Sequence, residues 1–281
     1  MSKLSKKKNL LITGASGFLG KNILKKISKK DYKVTLVTRK KIPGYKNIII
    51  NNFFKLNQKE FLKILRRQEI VLHLAWYAKP NKYLHSKINL ECLYGSLNFV
   101  LACKKSKIRK FIGIGTCLEY KFKNKILSTK DLLQPNSIYS ASKMILYNFC
   151  KSLFKSSKIQ FSWCRIFYLY GKGEPKTKLF SFVKSKIKKK ENFKIYGAGH
   201  IKDFINIEEA SKQIVQVIKS NKYFDAINIC TGKGQSVKNF IYSFLKKEEK
   251  KYIKFKNIDL SNTNPKYLVG ENSIKLNLNE I

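Results

Sequence analysis

The sequence predicts an α/β protein: a parallel, doubly wound sheet followed by a smaller C-terminal α/β lobe. Three observations predict it. Short apolar runs alternate with segments of helical spacing from Asn9 to Phe167. A glycine-rich turn, Gly14-Ala15-Ser16-Gly17-Phe18-Leu19-Gly20, joins the first strand to the first helix. After Tyr170 the elements shorten and strands and helices interleave more tightly.

The first strand is read over 9–13 and the first helix over 18–28. Strands at 33–38 and 47–50 follow, then a helix over 59–67. The run at 70–75 is almost continuously apolar, as a strand is when helices cover both sheet faces. A helix over 84–104, a strand at 110–114, a helix over 139–154 and a strand at 159–167 complete the alternation. Beyond it, helices over 177–190, 207–219 and 236–247 interleave with strands at 193–196, 226–230 and 252–256. The expected division is 1–168 and 169–281, interleaved in space. The polar end, 261–281, has no predicted element and is expected to be loosely held.

With 281 residues, 43% of them hydrophobic, the chain can bury a sizeable core, which excludes wholesale disorder. Its net charge of +42 invites a nucleic-acid reading. Two features argue against it. The lysines are spread along the whole chain, and only five of the 59 basic residues are arginines, the side chain with the phosphate-matching fork. The accompanying excess of Asn and Ile fits a bias towards A- and T-rich codons. No stretch approaches the roughly 18 apolar residues of a membrane span. The basic start is followed by only a short apolar run, so it does not read as a signal peptide. Six cysteines without a C-x-x-C pair read as reduced, buried thiols of a cytoplasmic protein, and the three histidines form no metal-ligand pattern.

The glycine turn has the residues that a pyrophosphate cradle needs. Gly14 permits the tight turn, Gly17 lets backbone approach the phosphates, and Gly20 lets helix and strand pack closely. Phe18 and Leu19 open the helix whose free N–H groups face the anion. Residues 1–168 thus read as a dinucleotide-binding unit. At the end of the second strand an NAD site places a carboxylate for the ribose, whereas this chain has Thr38-Arg39-Lys40-Lys41. Arg39 can meet a 2′-phosphate with a planar fork, so NADP is the preferred cofactor and NAD the alternative. Asn52, after the third strand, is placed near the adenine.

Tyr139-Ser140-Ala141-Ser142-Lys143 sets a phenol and an ammonium four residues apart on one helical face. A cation beside Tyr139 would favour its phenolate and make it a proton donor or acceptor near neutrality. Thr116, at the carboxyl end of the 110–114 strand, lies where ligands bind in such sheets and can hydrogen-bond a substrate oxygen. Together, these features resemble the extended short-chain dehydrogenase/reductase family, also called the NAD-dependent epimerase/dehydratase family. The resemblance runs over nearly the whole chain. Its markers are the loop at 13–20, His73-Leu74-Ala75, the element from Thr116 to Tyr120, Tyr139 with Lys143, Arg165 to Gly171, and Lys202-Asp203-Phe204.

The resemblance implies a Rossmann-type fold, a bound NAD(P), and a nucleotide-sugar substrate held by a C-terminal substrate-binding lobe. Carried over, Thr116, Tyr139 and Lys143 are the catalytic triad, with Tyr139 and Lys143 also touching the cofactor. Gly14, Gly17, Phe18, Leu19 and Gly20 line the pyrophosphate, and Ala75 sits close to the cofactor. It also implies a homodimer through the helices at 84–104 and 139–154, and a place in carbohydrate biosynthesis. His73 reads as a strand residue, not a ligand.

Departures from the family pattern narrow the reaction. Family 4,6-dehydratases carry Thr-Asp-Glu where this chain has Thr116-Cys117-Leu118, so water elimination is not expected. Cys117 reads as a buried structural thiol that points away from the site. Trp76 and Tyr77 replace small residues and suggest a reshaped sugar pocket, while Tyr168 and Lys202 stand at substrate-contact positions that are usually Asn and Arg. The reading that remains is NADPH-dependent reduction of a 4-keto nucleotide sugar, in particular a 4-keto-6-deoxy sugar. A 4-epimerase with retained NAD is the alternative. A non-enzymatic NAD(P)- or nucleic-acid-binding protein on the same fold is the second alternative.

Overall fold

A computed structural model describes residues 7–222, 224–256 and 265–274. In chain order its strands are β1 (Lys8–Thr13), β2 (Tyr32–Thr38), β3 (Lys46–Ile49), β4 (Ile70–His73), β5 (Lys110–Thr116), β6 (Ile126–Leu127), β7 (Gln160–Ile166), β8 (Tyr168–Tyr170), β9 (Phe193–Tyr196), β10 (Ile201–Lys202), β11 (Phe204–Asn206), β12 (Ala226–Ile229), β13 (Gln235–Ser236), β14 (Ile253–Lys256) and β15 (Tyr267–Gly270). Its helices are α1 (Phe18–Leu24), α2 (Gln58–Leu65), α3 (Ile88–Lys105), α4 (Ile138–Lys155), α5 (Leu179–Lys188), α6 (Ile207–Lys219) and α7 (Val237–Tyr242).

Seven strands form one sheet in the order β12-β7-β5-β4-β1-β2-β3, and every pairing is parallel. The chain builds outward from β1 to β3, then restarts beside β1 with β4. The order therefore reverses between β1 and β4, and ligands bind at such a switch point in open sheets. One face is covered by α1 and α6 over Leu10, Ile12, Leu36 and Ile214. The other is covered by α2, α3 and α4 over Leu11, Val71, Phe99, Phe111 and Leu146. Burial on both faces explains why β4 and β5 carry almost no polar residues.

Local sequence sets the helix ends. Asn57 and Glu60 form a reciprocal capping box on α2, and the Ser137 hydroxyl accepts from Ser140 N–H to start α4. Five predicted helices are shorter than expected. The first ends at Leu24, the one predicted to 67 ends at Leu65, the one predicted from 84 starts at Ile88, the one predicted over 177–190 spans Leu179–Lys188, and the one predicted to 247 stops at Tyr242, followed by a 3-10 turn over Lys247–Tyr252. The smaller C-terminal lobe packs α5, α7, β9 and β14 around Val183, Phe193, Phe240 and Ile253. One predicted strand of that region, β12, instead extends the main sheet as its edge beside β7.

The polar end is not uniformly loose. Leu268 and Val269 of β15 are fully buried between β10 and β6, whereas 261–264 and 275–281 lie outside the described residues. All six cysteines are unpaired and buried. Among the described residues, no helix is long and apolar enough to cross a membrane, and no cluster of His, Cys, Asp or Glu is arranged to hold a metal.

Candidate active site

The switch point brings the glycine turn against the end of β4. Gly14 has φ +70°, and a Cβ there would stand 2.6 Å from Ala75 N. A Cβ on Gly20 would stand 2.7 Å from Ala15 Cα and the Gly14 carbonyl. The chain itself demands these two glycines, one for a left-handed turn and one for close helix–strand packing. Gly17 is different. A Cβ there would meet only the Gly14 carbonyl, at 3.3 Å. Its bareness opens the start of α1, where Phe18, Leu19 and Gly20 present first-turn N–H groups. These residues fit a pyrophosphate.

Behind the turn, the Thr13 hydroxyl accepts from Ala75 N–H at 3.1 Å and bonds His73 Nδ1 at 2.8 Å. His73 Nε2 bonds the Ser96 hydroxyl at 2.9 Å, and burial pulls the imidazole down to about 3. It is a neutral strut that holds β1, β4 and α3 together. At the far end of the switch point, Arg39 is exposed beyond β2, beside Lys40 and Lys41. Asn52 caps the short 3-10 turn Phe53–Lys55, its Oδ1 accepting from Phe54 N–H at 3.1 Å.

Thr116 ends β5 and is buried. Its hydroxyl accepts from Leu118 N–H at 3.3 Å, which leaves its own proton to donate. Tyr139 stands in the first turn of α4, partly exposed, its backbone N–H donating to the Leu84 carbonyl at 2.9 Å. Burial holds the Tyr139 phenol well above its ordinary value; Tyr83, Glu119 and Cys117 add to the rise, and Thr116 pulls the other way. Lys143 follows one turn later on the same helix, buried, its Nζ donating to the Ile114 carbonyl at 2.8 Å. Burial pulls the amine down to about 7. The expected depression of the phenol by this ammonium is not found, because the lysine is directed to the strand carbonyl and not to Tyr139.

Trp76 leaves β4 and lays its ring over Lys143 Nζ, 3.8 Å from the centroid. Tyr77 is partly exposed, its backbone N–H against the Cys92 thiol. Tyr168 starts β8, and Lys202 Nζ lies 5.2 Å from its ring centroid. Lys202 is buried, donates to the Pro265 carbonyl, and is pulled down to about 8 by burial. Cys117 is buried as expected, in an apolar cluster with Tyr120, Leu127, Phe167, Cys230 and Leu268, and burial pushes its thiol up to about 12.

Sequence reasoning missed three residues. Tyr83 packs its ring edge-on against Tyr139 at 4.7 Å, and Lys178, the cap of α5, reaches the same surroundings. Glu119, which the sequence marks only as the neighbour of Tyr120, is the third. It is fully buried and bonded by Arg165 Nε at 2.8 Å, by Trp163 Nε1 at 3.1 and 3.2 Å, and by Thr116 N–H at 2.8 Å. Arg165 also donates to the Tyr120 hydroxyl, which donates to Asn228 on β12. The alternation of small and large residues along β5 and β7 was the available signal: a Cβ on Gly115 would collide with both Trp163 and Glu119.

Known proteins share this arrangement of elements. The profile of the NAD dependent epimerase/dehydratase family matches residues 10–230. A dTDP-6-deoxy-L-talose 4-dehydrogenase (NAD(+)) from Aggregatibacter actinomycetemcomitans is 23% identical, over 84% of this chain and 89% of its own length. The solved UDP-N-acetylglucosamine 4-epimerase from Methanobrevibacter ruminantium, in complex with UDP-N-acetylmuramic acid, superimposes with a TM-score of 0.79. That match has 24% identity and covers 95% of this chain and 90% of that one. The UDP-glucose 4-epimerase from Thermus thermophilus, in complex with NAD, superimposes with a TM-score of 0.81 at 14% identity, covering 95% and 92%.

Proposed function

The chain belongs to the NAD dependent epimerase/dehydratase family, and from that premise we propose that it is an NAD(P)-dependent oxidoreductase reducing a 4-keto nucleotide sugar, a 4-keto-6-deoxy sugar in particular. One observation carries the choice among the family's reactions. Thr116 and Tyr139 offer two protonated hydroxyls at the carboxyl end of β5. The one carboxylate of that element, Glu119, is locked by Arg165, Trp163 and the Thr116 N–H. Elimination of water needs a free acid–base pair, and the element lacks one. An epimerase would use the same hydroxyls to oxidise and re-reduce the sugar, so reductase is preferred over epimerase on the cofactor: the Arg39 end of β2 favours NADP, whereas an epimerase of this family usually retains NAD.

The bound dinucleotide would supply the hydride. Gly14, Gly17, Phe18, Leu19 and Gly20 would hold its pyrophosphate, Ala75, Tyr139 and Lys143 its nicotinamide end, and Arg39 and Asn52 its adenosine end. Tyr139 gives its phenolic proton to the sugar oxygen as charge develops there. Thr116 donates a hydrogen bond to the same oxygen and orients it. Lys143, held by the Ile114 carbonyl, would sustain the proton supply to the phenol. Trp76, Tyr77, Tyr168 and Lys202 would shape the substrate side. A second copy of the chain is the expected partner across α3 and α4, whose outer faces leave Leu90, Tyr94 and Ile145 exposed. The compartment proposed is the cytoplasm.

NADP is the preferred cofactor, because the exposed Arg39 fork stands at the end of β2, where the strand and the residues after it offer no carboxylate. The Aggregatibacter relative is named for NAD(+), which makes this choice a sharp test. Loss of one charged hydrogen-bonding group costs about 1.5–3 kcal/mol. Arg39→Ala should therefore raise the KM for NADPH roughly tenfold or more and leave that for NADH within about twofold. Equal changes for both cofactors would remove Arg39 from 2′-phosphate recognition. For the reaction, purified protein with NADPH and a panel of 4-keto-6-deoxy nucleotide sugars should oxidise the cofactor. Interconversion of unreduced sugars without cofactor oxidation would show an epimerase instead.

A further inference from the structure

The groups around Lys143 form a closed chain that the proposed proton transfer does not use. The ammonium lies 3.8 Å from the Trp76 ring centroid and donates to the Ile114 carbonyl at 2.8 Å. The indole is itself anchored: its Nε1 donates to Asn89 Oδ1 at 2.9 Å. Asn89 is fully buried, and its Nδ2 donates to the carbonyls of Tyr83 at 2.6 Å and Ser86 at 2.9 Å. Tyr83 sets its ring against Tyr139, nearly perpendicular at 88°. The links run from Lys143 through Trp76, Asn89 and Tyr83 to Tyr139, and so return to α4 one helical turn from where they began.

We propose that Trp76 is a positioning residue for Lys143: its indole face and the Ile114 carbonyl clamp the ammonium, and the Asn89–Tyr83 link keeps that clamp in register with Tyr139. The inference rests on the reductase reading only where it concerns turnover. An aromatic face attracts a cation through its quadrupole, and more strongly where water is excluded. A carbonyl can accept from the charged amine. Both contacts favour the ammonium over the neutral amine, against the burial that disfavours it.

Three other titratable groups face Lys143 from the elements around it: Glu119 after β5, Cys92 on α3 and His73 on β4. His73 is held down at about 3 and Cys92 is pushed up, so neither changes charge near neutrality. Glu119 is tied to Arg165. The Lys143→Met variant separates a titration of Lys143 felt by Trp76 from that of any other group, including His85 in the Tyr83–Ser86 segment that anchors Asn89.

Intrinsic fluorescence of the unliganded protein against pH tests the clamp without substrate or cofactor. We expect an emission change centred near Lys143's value of about 7, absent in Trp76→Leu and in Lys143→Met. Leucine keeps the apolar cover but removes the face. In Trp76→Leu the alkaline limb of kcat/KM should then move down by about one pH unit, and by less in Trp76→Phe, with circular dichroism and Tm confirming the fold. A fluorescence change that persists in Lys143→Met, or an alkaline limb unmoved in folded Trp76→Leu, overturns the proposal. The fluorescence change together with an absence of any reductase turnover would overturn the functional reading and leave the clamp standing.

Discussion

Tyr139→Phe is expected to lower kcat by about 10²–10⁴-fold, the usual range for a positioned general acid. The change deletes one oxygen. The ring remains, and with it the edge-on packing against Tyr83 at 4.7 Å. Substrate KM and the melting temperature should therefore move little. The Thr116 hydroxyl still reaches the developing alkoxide, which is why turnover falls without vanishing. A loss confined to KM would show that the phenol binds substrate and donates no proton. Near-native kcat would remove Tyr139 from the chemistry.

The second large effect is structural. Arg165→Met should destabilise the protein by about 3–5 kcal/mol, the usual cost of leaving a buried charge without its partner. Arg165 is 1% and Glu119 0% exposed, and their Nε–Oε2 contact is 2.8 Å. The guanidinium also lies over the Tyr120 and Tyr147 rings, 4.9 and 4.6 Å from their centroids. Methionine keeps much of the volume and none of the charge. The double variant Glu119→Gln/Arg165→Met should recover part of the loss, because it no longer leaves a carboxylate alone. Urea unfolding of the wild type, both single variants and the double variant gives the coupling directly. Strict additivity would show that the pair acts only as packing. Because Glu119 also accepts from the Thr116 N–H, the single variants should lose activity as well as stability.

Much of this molecule was legible in its sequence. Apolar runs bounded by polar residues identify β1, β4, β5 and β7 because these strands are buried on both faces. The glycine turn is legible because Gly14 and Gly20 have no room for a Cβ. The short strands β6, β8, β10, β11 and β13 are not legible, since two or three residues carry no periodicity and depend on partners distant in the chain. The same limit hid the place of β12, whose pattern says strand but not which sheet.

At the site, spacing put Tyr139 and Lys143 on one helical face. It did not say where a four-carbon side chain ends, and the ammonium is taken up by Ile114 and Trp76. Tyr83 and Lys178 lie in segments without a motif. The +42 charge is no guide to any of these. Among the described residues, Arg39, Lys143, Arg165, Lys178 and Lys202 are the cations placed around the proposed site.

The fate of one hydrogen decides between reduction and its alternatives. NADPH carrying deuterium at the transferred position, incubated with a 4-keto-6-deoxy nucleotide sugar and the purified protein, should place one deuterium on C4 of the sugar for each cofactor oxidised. The wild type should do so, and Tyr139→Phe should do so at a rate lower by about 10²–10⁴-fold. Sugar products that form without label, from cofactor that is not consumed, would contradict it.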